Sequence, residues 1–196
     1  MGRTQMGGEY TTLPDDLPEP EDDGAADHLV GRTVPSVSLP ATNGETVDLS
    51  TISGRVIVYC YPKTGRPDED VIPDGWNSIP GARGCTPESC GFRDHYQELL
   101  ARDVTAVFGL SLQSSSYQRE ARDRLELPFE LLSDSDRTFT DRLDLPTFAI
   151  GAETFHKRLT LVLSSGTIEH VFYPVFPPDT HAVTVVQWLD DGTPSS

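Results

Sequence analysis

The chain has 196 residues, 36% of them apolar, enough for a single domain with one substantial core. Fifteen basic against thirty-one acidic side chains leave a formal charge of −16, which repels phosphate backbones and anionic headgroups and argues against nucleic acid as a partner. No run approaches the roughly 18 apolar residues of a membrane span, and the N-terminus lacks the basic-then-apolar layout of a secretion signal, so a soluble, cytoplasmic protein without a membrane partner is expected.

Residues 1–28 hold eight carboxylates, one arginine and three prolines, too little apolar surface to offset ordering entropy; they read as an acidic arm, disordered or loosely docked. The domain proper is expected over 29–191, with a short tail at 192–196. Pro35 to Ser50 alternates short β-type runs around Asn43-Gly44, a tight-turn dipeptide, and predicts an N-terminal β-hairpin. Arg55 to Tyr61 is an unbroken apolar run of the kind buried on both faces of a sheet, and Pro62 ends it. Residues 65–81 form an unusually long, proline-rich, acidic loop around Val71, Ile72 and Trp76; loops of this size are functional or disordered, and its apolar residues imply that part of it packs on the body.

From Pro87 the period changes. Phe92, Tyr96, Leu99 and Leu100 share one helical face, and Thr86 and Pro87 are suited to the N-cap and first helical position. Thr105 to Leu112 reads as a second buried strand, and Tyr117, Ala121 and Leu125 mark a second helix. A short strand near Phe129 to Leu132 and a helical turn at Asp136 to Leu143 follow. Leu159 to Leu163 and Ile168 to Tyr173 form an antiparallel pair across Ser165-Gly166, and a last helix carries Val183, Val186, Trp188 and Leu189. The order predicts a three-layer α/β domain with a central mixed β-sheet flanked by helices.

Three cysteines are too few for a disulfide-stapled scaffold and point to metal or redox chemistry. Cys60 lies in the apolar strand and reads as core. Cys85 falls at a helix N-terminus, where unpaired N–H groups and the helix dipole favour a thiolate. Cys90 stands five residues on, and helix geometry puts the two α-carbons roughly 8 to 9 Å apart, beyond the ~7 Å that a disulfide tolerates. Pairing therefore requires the first turn to unwind, which Gly91 makes less costly. Two unrelated buried thiols, or a metal site with His95, are the other readings; the latter misses the usual zinc spacing and lacks a fourth ligand. The five histidines are scattered, and surface or hydrogen-bonding roles are expected of them.

Tyr61-Pro62-Lys63, then Gly84-Cys85-Thr86 and Glu88-x-Cys90-x-Phe92-Arg93-Asp94, with Leu39-Pro40, Asn43-Gly44 and Arg158-Leu159-Thr160 at the flanks, resemble the PrxQ or bacterioferritin comigratory branch of the peroxiredoxins over roughly residues 33 to 190. The resemblance implies a thioredoxin-like fold and a thiol peroxidase for hydrogen peroxide or organic hydroperoxides. It casts Cys85 as the attacking sulfur, Cys90 as its resolving partner in an intramolecular disulfide, and Arg158 as the guanidinium facing Cys85. Pro62, Gly84 and Thr86 would line the peroxide site, with thioredoxin or a similar dithiol as reductant, no cofactor, no metal, and a monomeric or weakly dimeric chain. The family pattern has Thr three residues before the attacking cysteine; this chain has Ala82, followed by Arg83, and Thr64, Ser78 or Thr86 could supply the missing hydroxyl, or Arg83 a second donor. Glu88 reads simply as a charge complementing the helix N-terminus. The competing functions are a thioredoxin-fold disulfide reductase, which the absence of C-x-x-C disfavours, and a redox-sensing interaction domain.

Overall fold

A computed structural model describes residue 13, residues 16–64 and residues 76–192. Most of the expected loop (65–75), much of the arm (1–12, 14 and 15) and the tail from 193 lie outside the described residues. In chain order the elements are β1 (Leu39–Pro40), β2 (Thr46–Val47), β3 (Arg55–Cys60), α1 (Cys85–Asp94), α2 (Tyr96–Leu100), β4 (Val104–Ser111), α3 (Ser115–Leu125), β5 (Leu131–Ser133), α4 (Thr138–Leu143), β6 (Thr147–Ile150), β7 (Glu153–His156), β8 (Leu159–Ser164), β9 (Thr167–Phe172) and α5 (His181–Gly192).

Side-chain alternation along β3 divides the interior. Val56, Val58 and Cys60 point into one apolar layer and Ile57, Tyr59 and Tyr61 into the other, each at most 1% exposed. A strand buried on both faces belongs in the middle of a sheet, and the observed order is β5-β4-β3-β8-β9. The β5-β4-β3 half is parallel and the β3-β8-β9 half antiparallel. Phe92, Leu99, Ala121 and Val185 pack α1, α2, α3 and α5 on one face; Leu39 of β1, with Phe139 and Leu143 of α4, covers the other. This is the mixed α/β arrangement expected, with the N-terminal hairpin β1–β2 in the register Leu39↔Val47.

One local expectation changes. The helix placed from Pro87 instead begins at Cys85, because Gly84 turns the chain into it at φ 116°, a conformation favouring glycine, and accepts from Glu88 N–H at 3.0 Å. Thr86 and Pro87 thus sit inside the first turn, and the helix breaks at His95 into α1 and α2. The hairpin β6–β7, turning at Gly151 (φ 60°), was not anticipated. It receives Trp76, whose ring meets Phe155 edge-on at 5.1 Å, so the end of the inserted loop packs over that hairpin. His156 and His181 take the hydrogen-bonding role among those expected: both are buried and each is bonded through Nε2 at 2.7 Å to a threonine hydroxyl, Thr140 and Thr160 respectively.

Candidate active site

The register of the sheet assembles the site. Cys60 pairs with Leu159, so the chain entering β8 lies beside the chain leaving β3. Beyond β3, buried Pro62 carries the backbone to Lys63, whose N–H donates to Cys85 Sγ at 3.4 Å. Gln113, after β4, holds the next residue on both sides: its Oε1 accepts from Thr64 N–H at 3.1 Å and its Nε2 donates to Thr64 O at 3.3 Å.

Cys85 is the first residue of α1, where backbone N–H groups have no intrahelical acceptor and favour an anion. Arg158 reaches this point from the start of β8. Its Nη2 donates to Cys85 Sγ and to Ala82 O, both at 3.2 Å, its Nε to Gly81 O at 3.1 Å, and its Nη1 to Glu88 Oε1 at 2.8 Å. The side chains of Arg158 and Glu88 are 1% and 0% exposed. A planar fork with four acceptors around it has one orientation, so the guanidinium is fixed before any substrate arrives.

Burial pushes the Cys85 thiol above its ordinary value; the Arg158 charge and the Lys63 N–H pull it back only in part, and Glu88 adds to the rise. The thiolate expected from the helix end is therefore opposed by desolvation, which a sequence does not reveal. Burial likewise raises the Glu88 carboxyl to about 7, against the pull of Arg158. Burial disfavours the Arg158 cation too, but Cys85 and Glu88 more than reverse this and the guanidinium stays charged. Glu88 Oε2 is buried with no hydrogen-bond partner among the described residues.

Cys90 is half-buried further along the same helix, and Cys85, Cys90 and Cys60 are all free thiols. Cys60 is fully buried in β3, and burial drives its thiol far up, which leaves it chemically inert. Gly84 and Thr86 flank Cys85 in sequence, Thr86 being 5% exposed, and buried Pro62 precedes Lys63, whose N–H reaches the sulfur. Ala82 turns its methyl into the apolar cluster of Trp76 and Phe155 while its carbonyl serves Arg158. Thr64 Oγ1 is engaged with Gln113 Oε1 at 3.3 Å, and Ser78 is exposed. The sequence reading missed Gln113 and the buried role of Glu88; the three-residue spacing from Cys85, which puts both on one helical face, was the available signal for the latter.

Residues 29–186 match the family model described as Redoxin. The chain is 32% identical over 162 residues to the bcp peroxiredoxin of Coxiella burnetii, covering 80% of this chain and 95% of that one. It is 31% identical over 170 residues to peroxiredoxin Bcp of Escherichia coli strain K12, covering 82% and 95%. Among solved structures, peroxidoxin BcpB of Mycobacterium tuberculosis superposes with a TM-score of 0.66 at 23% identity, over 85% of this chain and 99% of that one.

Proposed function

This chain belongs to the peroxiredoxins, thiol-dependent peroxidases, and we propose that within it Cys85 attacks the peroxide and Cys90 resolves the product. The observation that carries this is the pairing of Cys85 Sγ with Arg158 Nη2 at 3.2 Å and Lys63 N–H at 3.4 Å at a helix start. Ionised, the sulfur attacks the terminal oxygen of hydrogen peroxide or an organic hydroperoxide. An S–O bond forms as the O–O bond breaks, sulfur is oxidised to a sulfenic acid, and the departing oxygen leaves as water or alcohol after gaining a proton. Arg158 serves both stages: it supports the thiolate, and its fixed N–H groups meet the charge that builds on the separating oxygens.

Cys90 then attacks the Cys85 sulfenic acid, closing an S–S bond and releasing water. Because both lie in continuous helix, α1 must unwind for this step. An external dithiol, thioredoxin or a similar protein, takes up the disulfide by exchange and restores both thiols. Such a cycle suits a reducing compartment such as the cytoplasm. Among the described residues the large apolar side chains left exposed are only Val30 and Val183, which fits a monomer or weak dimer.

The reduced chain should consume hydrogen peroxide catalytically with thioredoxin, thioredoxin reductase and NADPH, and Cys85→Ser should abolish turnover. Peptide mass spectrometry after one equivalent of peroxide should find an 85–90 bridge within a monomer. Turnover that survives Cys85→Ser would overturn the assignment.

A further inference from the structure

The family model begins at residue 29, so the acidic stretch before it is outside the common domain. Its described residues nevertheless pack on the candidate site. Gly81 and Gly84 bracket the turn whose carbonyls hold Arg158; a β-carbon placed on Gly81 would stand 3.5 Å from Pro20 Cγ, and one on Gly84 3.2 Å from Leu13 Cδ2. The arm therefore lies over this turn. It is fastened at Asp23, whose carboxylate accepts from Lys157 Nζ at 2.9 Å and from Tyr173 Oη at 2.7 Å, both on the body of the domain. These bonds, led by the one from Lys157, hold the Asp23 carboxyl well below the usual range.

Between arm and body lies a pocket of about 220 Å³, partly open to solvent. Pro20 and Glu21 form the arm side; Ile79, Pro80, Phe148 and Val175 form most of the other, and Arg158 and Gly81 of the candidate site also line it. The walls are mainly hydrocarbon, and the wall shared with the site is the residue whose guanidinium touches the reactive sulfur.

We propose that the acidic arm is a specificity element, forming one wall of a side pocket for the compact apolar group of an organic hydroperoxide, with Asp23 as the positioning residue that holds that wall in place. The inference rests on the peroxidase reading above. Hydrocarbon of the substrate leaves water for the pocket, while the peroxide group stays at Arg158 and Cys85. A short branched alkyl hydroperoxide suits a pocket of this size; hydrogen peroxide has no group to place there and is indifferent to the wall.

The test compares hydrogen peroxide with tert-butyl hydroperoxide in the full chain, with Asp23→Ala and Tyr173→Phe, the latter keeping the ring and losing only the hydroxyl that Asp23 accepts. Both variants should raise KM for tert-butyl hydroperoxide about 3- to 5-fold, the scale of a partly exposed ion pair or hydrogen bond, with kcat unchanged, and leave the hydrogen peroxide constants as they are. Asp23→Glu should recover much of the loss. An unchanged KM for the organic peroxide, or equal losses on both peroxides, would overturn the proposal. Failure of the unaltered chain to turn over either peroxide would instead strike the peroxidase reading itself.

Discussion

Arg158 and Glu88 form an ion pair of 2.8 Å with side chains 1% and 0% exposed, and the same guanidinium spends another donor on Cys85. One cation thus faces two acids, and whatever charge Glu88 carries bears on the cation's hold over the sulfur.

Arg158→Lys keeps the charge but loses the fork. A lysine ammonium cannot reach Gly81 O, Ala82 O, Glu88 and Cys85 together as the guanidinium does. We expect kcat/KM for hydrogen peroxide to fall about 100-fold, the size of losing an oriented donor at a charged transition state, and the Cys85 thiol to titrate higher. Stopped-flow peroxide kinetics and thiolate absorbance against pH check both.

Glu88→Gln is nearly isosteric and removes a charge that raises the Cys85 thiol. The variant's Cys85 should titrate lower, read by the pH dependence of iodoacetamide alkylation. Stability gives a second readout. The Glu88 carboxyl rises from 4.5 to about 7 on folding, so between those values the folded state binds more protons and this group's contribution falls as pH increases. Glu88→Gln should remove that downward slope from urea midpoints across the same window.

Gly84→Ala should damage the site through the backbone. Gly84 has φ 116°, and a β-carbon there would lie 2.3 Å from Pro178 Cγ, a ring with little room to give. A cost of about 1–3 kcal/mol in unfolding free energy is expected, together with lost turnover, since the residue that must shift carries Cys85. Urea unfolding and peroxide assays measure the two effects.

His181 is held down to about 3 from 6.5, chiefly by burial and then by the Arg158 charge. A depressed histidine stabilises the fold fully above 6.5, and that contribution is lost as pH falls toward 3. His181→Asn, which keeps a hydrogen-bonding side chain for Thr160 and cannot protonate in that range, should flatten this part of the acid limb in a urea midpoint series. An identical limb in both proteins would contradict it.

The legible parts of the fold were those with strong period. β3, β4 and β8 announced themselves as apolar runs, and Asn43-Gly44 marked the turn of β1–β2, because burial on two faces and tight turns each demand particular residues locally. The β6–β7 hairpin was hidden because its residues carry little alternation of burial. The helix start was misplaced by two residues because Thr86 and Pro87 look like a cap and first position, while Gly84 takes the turn. Of the candidate site, the cysteine pair was named from its place at a helix start, and Arg158 only from the family resemblance. Gln113 could not, because nothing near it in sequence refers to Thr64.

The order of residues alone placed a cysteine at a helix start, a second one five positions later, and the strands that make the sheet, since these follow from periodicity and local backbone preference. Only the folded chain decided that Glu88 would share a buried cation with Cys85, that desolvation would oppose the sulfur's ionisation, and that the arm would be fastened at Asp23. These depend on which distant groups exclude water from one another, and that is settled by packing between segments far apart along the chain.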